Sequence, residues 1–274
     1  MREPAVAGSF YPSKREDLLG MLESYFGMAA KMAKPVECIA GISPHAGYVY
    51  SGSTAAGTFN SMSNLKKAKT VVFIGPNHTG IGTPVSVSLE DWQTPLGICK
   101  CDHALAEKTI SNSMVCRYDE SAHAAEHSIE VQLPFLQFLN PDAKIVCICM
   151  GDTRLAVAQD LAASLSKSIS GAKDTLVIAS SDFTHYERAE VAKARDEAAI
   201  KLIEKLDMEG FSGACDTNGW TICGHGPIAA LLGYARAKGL KKAKLLKYTN
   251  SGVATGDYSS VVAYSSIIFP NAKK

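Results

Sequence analysis

Three short apolar runs are each followed closely by a histidine. Pro44-His45-Ala46-Gly47-Tyr48 comes after residues 38–43, Pro76-Asn77-His78-Thr79-Gly80 after 70–75, and Ser181-Asp182-Phe183-Thr184-His185-Tyr186 after 175–180. Imidazole is the commonest protein metal ligand and also titrates near neutral pH, so three such rings brought to one place suit a metal site or acid–base catalysis. The neighbouring prolines and glycines make tight turns that can hold the rings. A fourth element, Cys223-Gly224-His225-Gly226-Pro227, puts a thiol just before a helix amino terminus, with Pro227 suited to the first turn. The helix field favours the thiolate, the form that binds metals or attacks electrophiles. The alternative for Cys223 is a buried, inert thiol.

His123-Ala124-Ala125-Glu126-His127 competes for attention because it matches the H-x-x-E-H pattern of inverted zinc peptidases. On a helix both histidines would share one face. A helix is better begun at Ser128, however, which leaves His123 in a loop and Glu126 and His127 as groups that contact a substrate or support the site.

These residues need a scaffold that gathers strand ends. The runs 38–43, 70–75, 144–150 and 175–180 are short, apolar and bounded by turn residues, as strands buried on both faces are. Helical spacing marks 14–34, with Ser13 as its cap, and then 52–64, 103–111, 129–139, 155–169, 187–206 and 227–238. Segments 84–89, 244–248 and 258–269 add strands that can run antiparallel. Alternating strand and helix predicts one α/β domain over residues 1–274, with a mainly parallel or mixed sheet covered by helices on both faces. Ligands of such sheets bind beyond the strand carboxyl ends, where these histidines fall.

Composition excludes several classes. Apolar residues make up 46% and charged residues 20%, as in ordinary globular proteins. Lysine and arginine total 28 against 27 acids, with no extended basic run, which argues against a nucleic-acid partner. No stretch is long and apolar enough for a signal peptide or a membrane span, so a cytoplasmic protein with no membrane association is expected. The eight cysteines include no CxxC pair, and seven of them read as small buried hydrophobes.

Together with the opening Arg2-Glu3-Pro4-Ala5-Val6-Ala7-Gly8-Ser9-Phe10-Tyr11-Pro12 and with Glu126-His127-Ser128-Ile129-Glu130-Val131-Gln132-Leu133-Pro134, these motifs resemble the signatures of the Memo family nearly end to end. The resemblance implies the fold of the class III extradiol ring-cleaving dioxygenases, non-haem iron enzymes that open catechol-like rings with molecular oxygen. It implies a metal held by His45, His78 and Cys223, with Asp182 and His185 as the remaining reactive pair and His185 in the acid–base role. It also implies radical-SAM and AMMECR-type pathway partners. The dioxygenases hold iron with two histidines and a carboxylate, and a thiolate in place of the carboxylate shifts preference towards copper(I) or zinc and alters the potential of iron.

The expectation is therefore an oxidoreductase with one redox-active metal ion, iron(II) or copper rather than zinc, acting on a small aromatic or catechol-like substrate. Tyr48, Tyr50, Asn77, Glu126, His127 and His225 are expected to contact that substrate. The rival readings are a non-enzymatic protein that binds a redox metal or a peptide in the same pocket, and a zinc hydrolase acting through His123, Glu126 and His127.

Overall fold

In the computed structural model, residues 1–171 and 174–271 are described; positions 172–173 and 272–274 of the expected whole-chain domain lie outside them. Their order is α1 (Arg15–Ala29), β1 (Cys38–Ser43), α2 (Tyr48–Ser61), β2 (Thr70–Pro76), β3 (Val85–Val87), β4 (Trp92–Thr94), β5 (Gly97–Cys99), α3 (His103–Ser111) and β6 (Cys116–Tyr118). There follow α4 (Leu133–Leu139), β7 (Lys144–Met150), α5 (Leu155–Ser168), β8 (Thr175–Ser180), β9 (His185–Glu187), α6 (Ala189–Glu204) and α7 (Met208–Asn218). The chain continues through α8 (His225–Ala237), β10 (Lys244–Asn250), α9 (Gly252–Thr255) and β11 (Val261–Pro270).

The main sheet runs β10-β11-β1-β8-β2-β7-β3-β6, with β9 paired to β11. Its centre, β1, β8, β2 and β7, is parallel, while β11 meets β1 and β3 meets β7 antiparallel, so the sheet is mixed. Each central strand is buried on both faces because alternate side chains feed two cores. In β2, Val72 and Ile74 pack on one side with residues of α5, α6, α7 and α8. Val71 and Phe73 pack on the other with those of α1, α2 and α4. No helix among the described residues is long and apolar enough to cross a membrane.

The bounds of β1, β7 and β8 coincide with the sequence reading, but several helix bounds do not. α1 ends at Ala29 rather than at residue 34, and its cap is Lys14, not Ser13. α2 begins at Tyr48 rather than at residue 52. Residue 187, expected to open a helix, ends β9 instead, so α6 begins at Ala189, and α7 is an additional helix capped by the Asp207 side chain. Residues 130–132 form one 3₁₀ turn before the short α4.

A buried carboxylate secures the approach to β9. Asp196 of α6 accepts hydrogen bonds from Thr184 Oγ1 at 2.7 Å and from Tyr248 OH at 2.8 Å. Burial pushes Asp196 up from 3.8 to about 6, the hydrogen bonds offsetting only part of that. An acid with a raised native pKa binds its proton more tightly when folded, so its contribution is full below the unfolded value and is lost as pH rises through the folded one. Asp196→Asn removes this dependence. Between about pH 4 and pH 6 the wild type should lose about 3 kcal/mol relative to Asp196→Asn, as read from urea unfolding across that range.

Candidate metal centre

β1, β8 and β2 are neighbours, so His45, Asp182 and His78 leave adjacent strand ends. His45 is buried, and its backbone N–H donates to Asp182 Oδ1 at 2.8 Å. Its Nδ1 lies 2.9 Å from Ser180 Oγ, and its Nε2 lies 3.2 Å from Cys223 Sγ. His78 meets Glu126 Oε1 through Nδ1 at 2.9 Å, and its backbone N–H donates to Glu126 Oε2. His127 stacks on His78, with ring centroids 4.6 Å apart and planes at 23°.

One ring nitrogen from each of His45, His78 and His127 falls within 4.8 Å of the other two. A tetrahedral ion with bonds of about 2.1 Å would hold its nitrogens about 3.4 Å apart, so at most about 1.4 Å of closure brings the rings into one shell. Imidazoles with Nδ1 hydrogen-bonded and a thiol alongside form a donor set that fits a first-row transition metal. The sequence reading placed His127 against substrate; the structure adds it to the imidazole group. Its sequence signals were the H-x-x-E-H pattern and the motif that begins at Glu126, neither of which assigned it as a ligand.

Cys223 reaches the site through a close approach. A Cβ on Gly224 would stand 2.4 Å from Ser181 Cβ and 2.5 Å from Ser180 O, so only glycine lets the start of α8 dock on the end of β8. Burial, reinforced by Asp182, pushes the Cys223 thiol up, against the lowering expected from the helix field alone. Burial, with His127 and His78 adding to it, holds His45 well below the ordinary histidine value, and burial also lowers His127. Burial raises Asp182 to about 7, against the backbone N–H groups of His45 and Ala46. Burial would raise Glu126 as well, but hydrogen bonds from His78 and Ser128 outweigh it and hold the carboxyl at about 2.

His185 stands on β9 with Nδ1 2.8 Å from the carbonyl oxygen of Thr221. A carbonyl only accepts, so Nδ1 carries the proton and Nε2 keeps a lone pair. The exposed Tyr186 beside it has φ 58°, an uncommon backbone state for an aromatic residue, held by the pairing of β9 with β11. Burial raises the Tyr264 pKa, with Asp182, Tyr50 and Tyr186 adding to it.

The other candidates stand elsewhere. Tyr48 is 2% exposed in the first turn of α2, with its hydroxyl on Val131 O at 2.8 Å, so it is core rather than pocket wall; Tyr50 is exposed. Asn77 is occupied by its own loop, donating to Ile81 O and accepting from Thr79 and Gly80. His225 opens α8, where burial lowers its pKa against Asp216 and the backbone of Ile222 and Thr153. His123 is fully buried outside the imidazole group, edge-on to Trp92 with Nε2 3.2 Å from Ser86 O. Residues 121–125 form turns, so the helix that zinc-peptidase geometry requires is absent there.

The first residues of the chain hold this loop. Arg2 donates to His123 O at 2.9 Å and Glu126 O at 2.8 Å, pairs with Glu130, and lies over the Trp92 ring. Glu130 also accepts from Ala5 N, Val6 N and Tyr11 OH, and Phe10 packs on His127 with centroids 4.6 Å apart. Both members of the pair are buried, so removing one strands the other charge.

A family model described as Memo-like protein matches residues 2–268. The chain belongs to the Memo family. It is 45% identical to a MEMO1 family protein of Methanosarcina acetivorans, over 98% of each chain. It is 43% identical to one of Desulfurococcus amylolyticus and 42% identical to one of Methanocaldococcus jannaschii, again over 98% of each. Among solved structures, an uncharacterized protein of Escherichia coli K12 matches with a TM-score of 0.50 and 13% identity, covering 84% of this chain and 98% of the other. That likeness concerns the α/β fold.

In this Memo chain, Arg2→Met should cost about 3–5 kcal/mol in urea unfolding because it leaves Glu130 buried and unpaired. Glu130→Gln with Arg2→Met together should recover part of that loss.

Proposed function

We propose that this Memo protein is an oxidoreductase that binds one redox-active metal ion, iron(II) or copper, and acts on a small aromatic or catechol-like compound. The observation that carries this reading is the convergence of His45, His78 and His127 within 4.8 Å beside the Cys223 thiol. A bound ion of this kind would supply Lewis acidity and electron transfer. His45 and His78 are the two imidazole ligands in this reading and Cys223 the third donor, with His127 able to take the third or a fourth position.

The remaining groups suit handling of a hydroxylated substrate. His185, with its proton held on Nδ1 by Thr221, presents Nε2 as an acceptor for a substrate hydroxyl proton. Asp182 anchors the His45 backbone and offers a second carboxyl oxygen to substrate. Tyr50 and Tyr186, both exposed, would provide aromatic surface for a planar ring.

One observation favours a second reading. His45, His78, His127 and Cys223 are enough donors to fill a tetrahedral shell, and a closed shell suits a metal-binding protein without turnover.

Anaerobically prepared protein should carry stoichiometric metal, lost in His45→Ala and His78→Ala; full metal content in both variants would overturn the site. Retention in Cys223→Ser with loss in His127→Ala would transfer the third position to His127. Metal-loaded wild type should consume oxygen with a catechol-like compound, and His185→Ala should slow it about 100-fold or more at unchanged metal content. Tight metal with no oxygen consumption would select the closed-shell reading.

A further inference from the structure

His45 and His78 each bond through Nδ1 to a group whose protons are already committed. Ser180 Oγ has one proton, and it goes to Ser128 O at 2.6 Å. Turning that proton towards His45 would leave two bare oxygens in contact at that distance. Ser180 Oγ also accepts from Gln132 Nε2 at 2.8 Å. The Gln132 amide cannot be reversed, because its Nε2 also donates to Pro44 O at 2.9 Å and a reversed amide would set oxygen against oxygen there. With one proton given and one lone pair taken, Ser180 Oγ has only an acceptor position left for His45 Nδ1 at 2.9 Å.

The same accounting holds on β2. The Glu126 carboxylate accepts from the backbone N–H groups of His78, His127 and Ser128, the latter two at 2.9 Å. A carboxylate in that setting has no proton to give, so His78 Nδ1, 2.9 Å from Oε1, must be the donor.

We propose that Ser180 with Gln132, and Glu126 separately, are positioning residues that impose the Nδ1–H tautomer on His45 and His78, so that both Nε2 lone pairs stand ready for a ligand before one arrives. The two devices reach the rings from different elements: Ser180 ends β8, Gln132 precedes α4, and Glu126 lies in the loop ahead of it. The opposite tautomer at either ring would put a proton where a metal bond must form. This inference rests on His45 and His78 being ligands, and the tautomers can be read without any metal.

The test uses the full chain, labelled with ¹⁵N-histidine and stripped of metal by a chelator, in long-range ¹H–¹⁵N spectra at mildly alkaline pH. His45→Ala and His78→Ala assign the two rings. In the wild type both should show a protonated Nδ1 and an unprotonated Nε2; a protonated Nε2 on either ring overturns the proposal, and no substitution is needed to see it. Ser180→Ala should average the His45 signals and leave those of His78 in place, while Glu126→Gln should do the reverse. Cobalt(II) titration followed by visible absorption should show each variant binding about 10–100-fold more weakly. Wild-type cobalt affinity in both variants overturns the positioning role. Both tautomers as expected in a wild type that binds no cobalt would support the relays and overturn the metal reading instead.

Discussion

A full negative charge sits in the interior at Glu126, and the site depends on how that charge is satisfied. An isolated buried carboxylate would cost several kcal/mol, and Glu126 avoids this by collecting the backbone N–H groups of His78, His127 and Ser128 together with His78 Nδ1. The loop after β2 and the loop before α4 thereby become one body. His78 and His127 are stacked because the same carboxylate holds both of their backbones. His45 belongs to a different device, since its backbone is fixed by Asp182 and its ring by Ser180, both from the neighbouring strand end.

The outer support is a second buried charge pair. Glu130 lies four residues beyond Glu126 and ties down Arg2, Ala5, Val6 and Tyr11, while Arg2 reaches back to the carbonyl oxygen of Glu126. The amino-terminal segment is therefore part of the site's frame although it supplies no ligand. Phe10, carried on that segment, covers one face of His127.

The sequence made the parallel centre of the fold legible, because β1, β7 and β8 are apolar on both faces and end in turn residues. His45 and His78 followed from that, being histidines which the strand ends deliver, whereas His185, the third expected there, stands on β9 outside the group of His45, His78 and His127. His127 was legible only as a residue near the site, since no regular element carries it and its place beside His78 depends on Glu126, which binds the His127 backbone and reaches His78 across 48 residues of chain. Tyr48 was misplaced because α2 begins four residues earlier than the helical spacing suggested, which turns the ring into the core of α1, α2 and α4. Asn77 looked free in the sequence but satisfies its own turn. At Cys223 the sequence offered both a thiolate favoured by the helix field and a buried thiol, and could not decide between them because the burial comes from Ser181 and Asp182 on a strand end 41 residues or more away.

Hydrogen-bond polarity also bears on which metal this pocket would admit. With the proton of His45 held on Nδ1, its Nε2 can only accept, so the contact with Cys223 Sγ at 3.2 Å is an S–H donating to nitrogen. Asp182 N donates to the same sulfur at 3.3 Å, and burial favours the neutral thiol. The metal-free pocket thus stores one proton between its softest donor and its most buried imidazole. An ion that binds there must displace that proton and gain enough from the sulfur to compensate. Hard cations that prefer oxygen gain little from a thiolate, whereas copper(I), zinc and iron(II) gain more. In the proposed site the cost of removing the Cys223 proton would be the same for every ion, so discrimination among first-row ions would come from what each gains from the sulfur rather than from the three imidazoles, which suit nearly all of them.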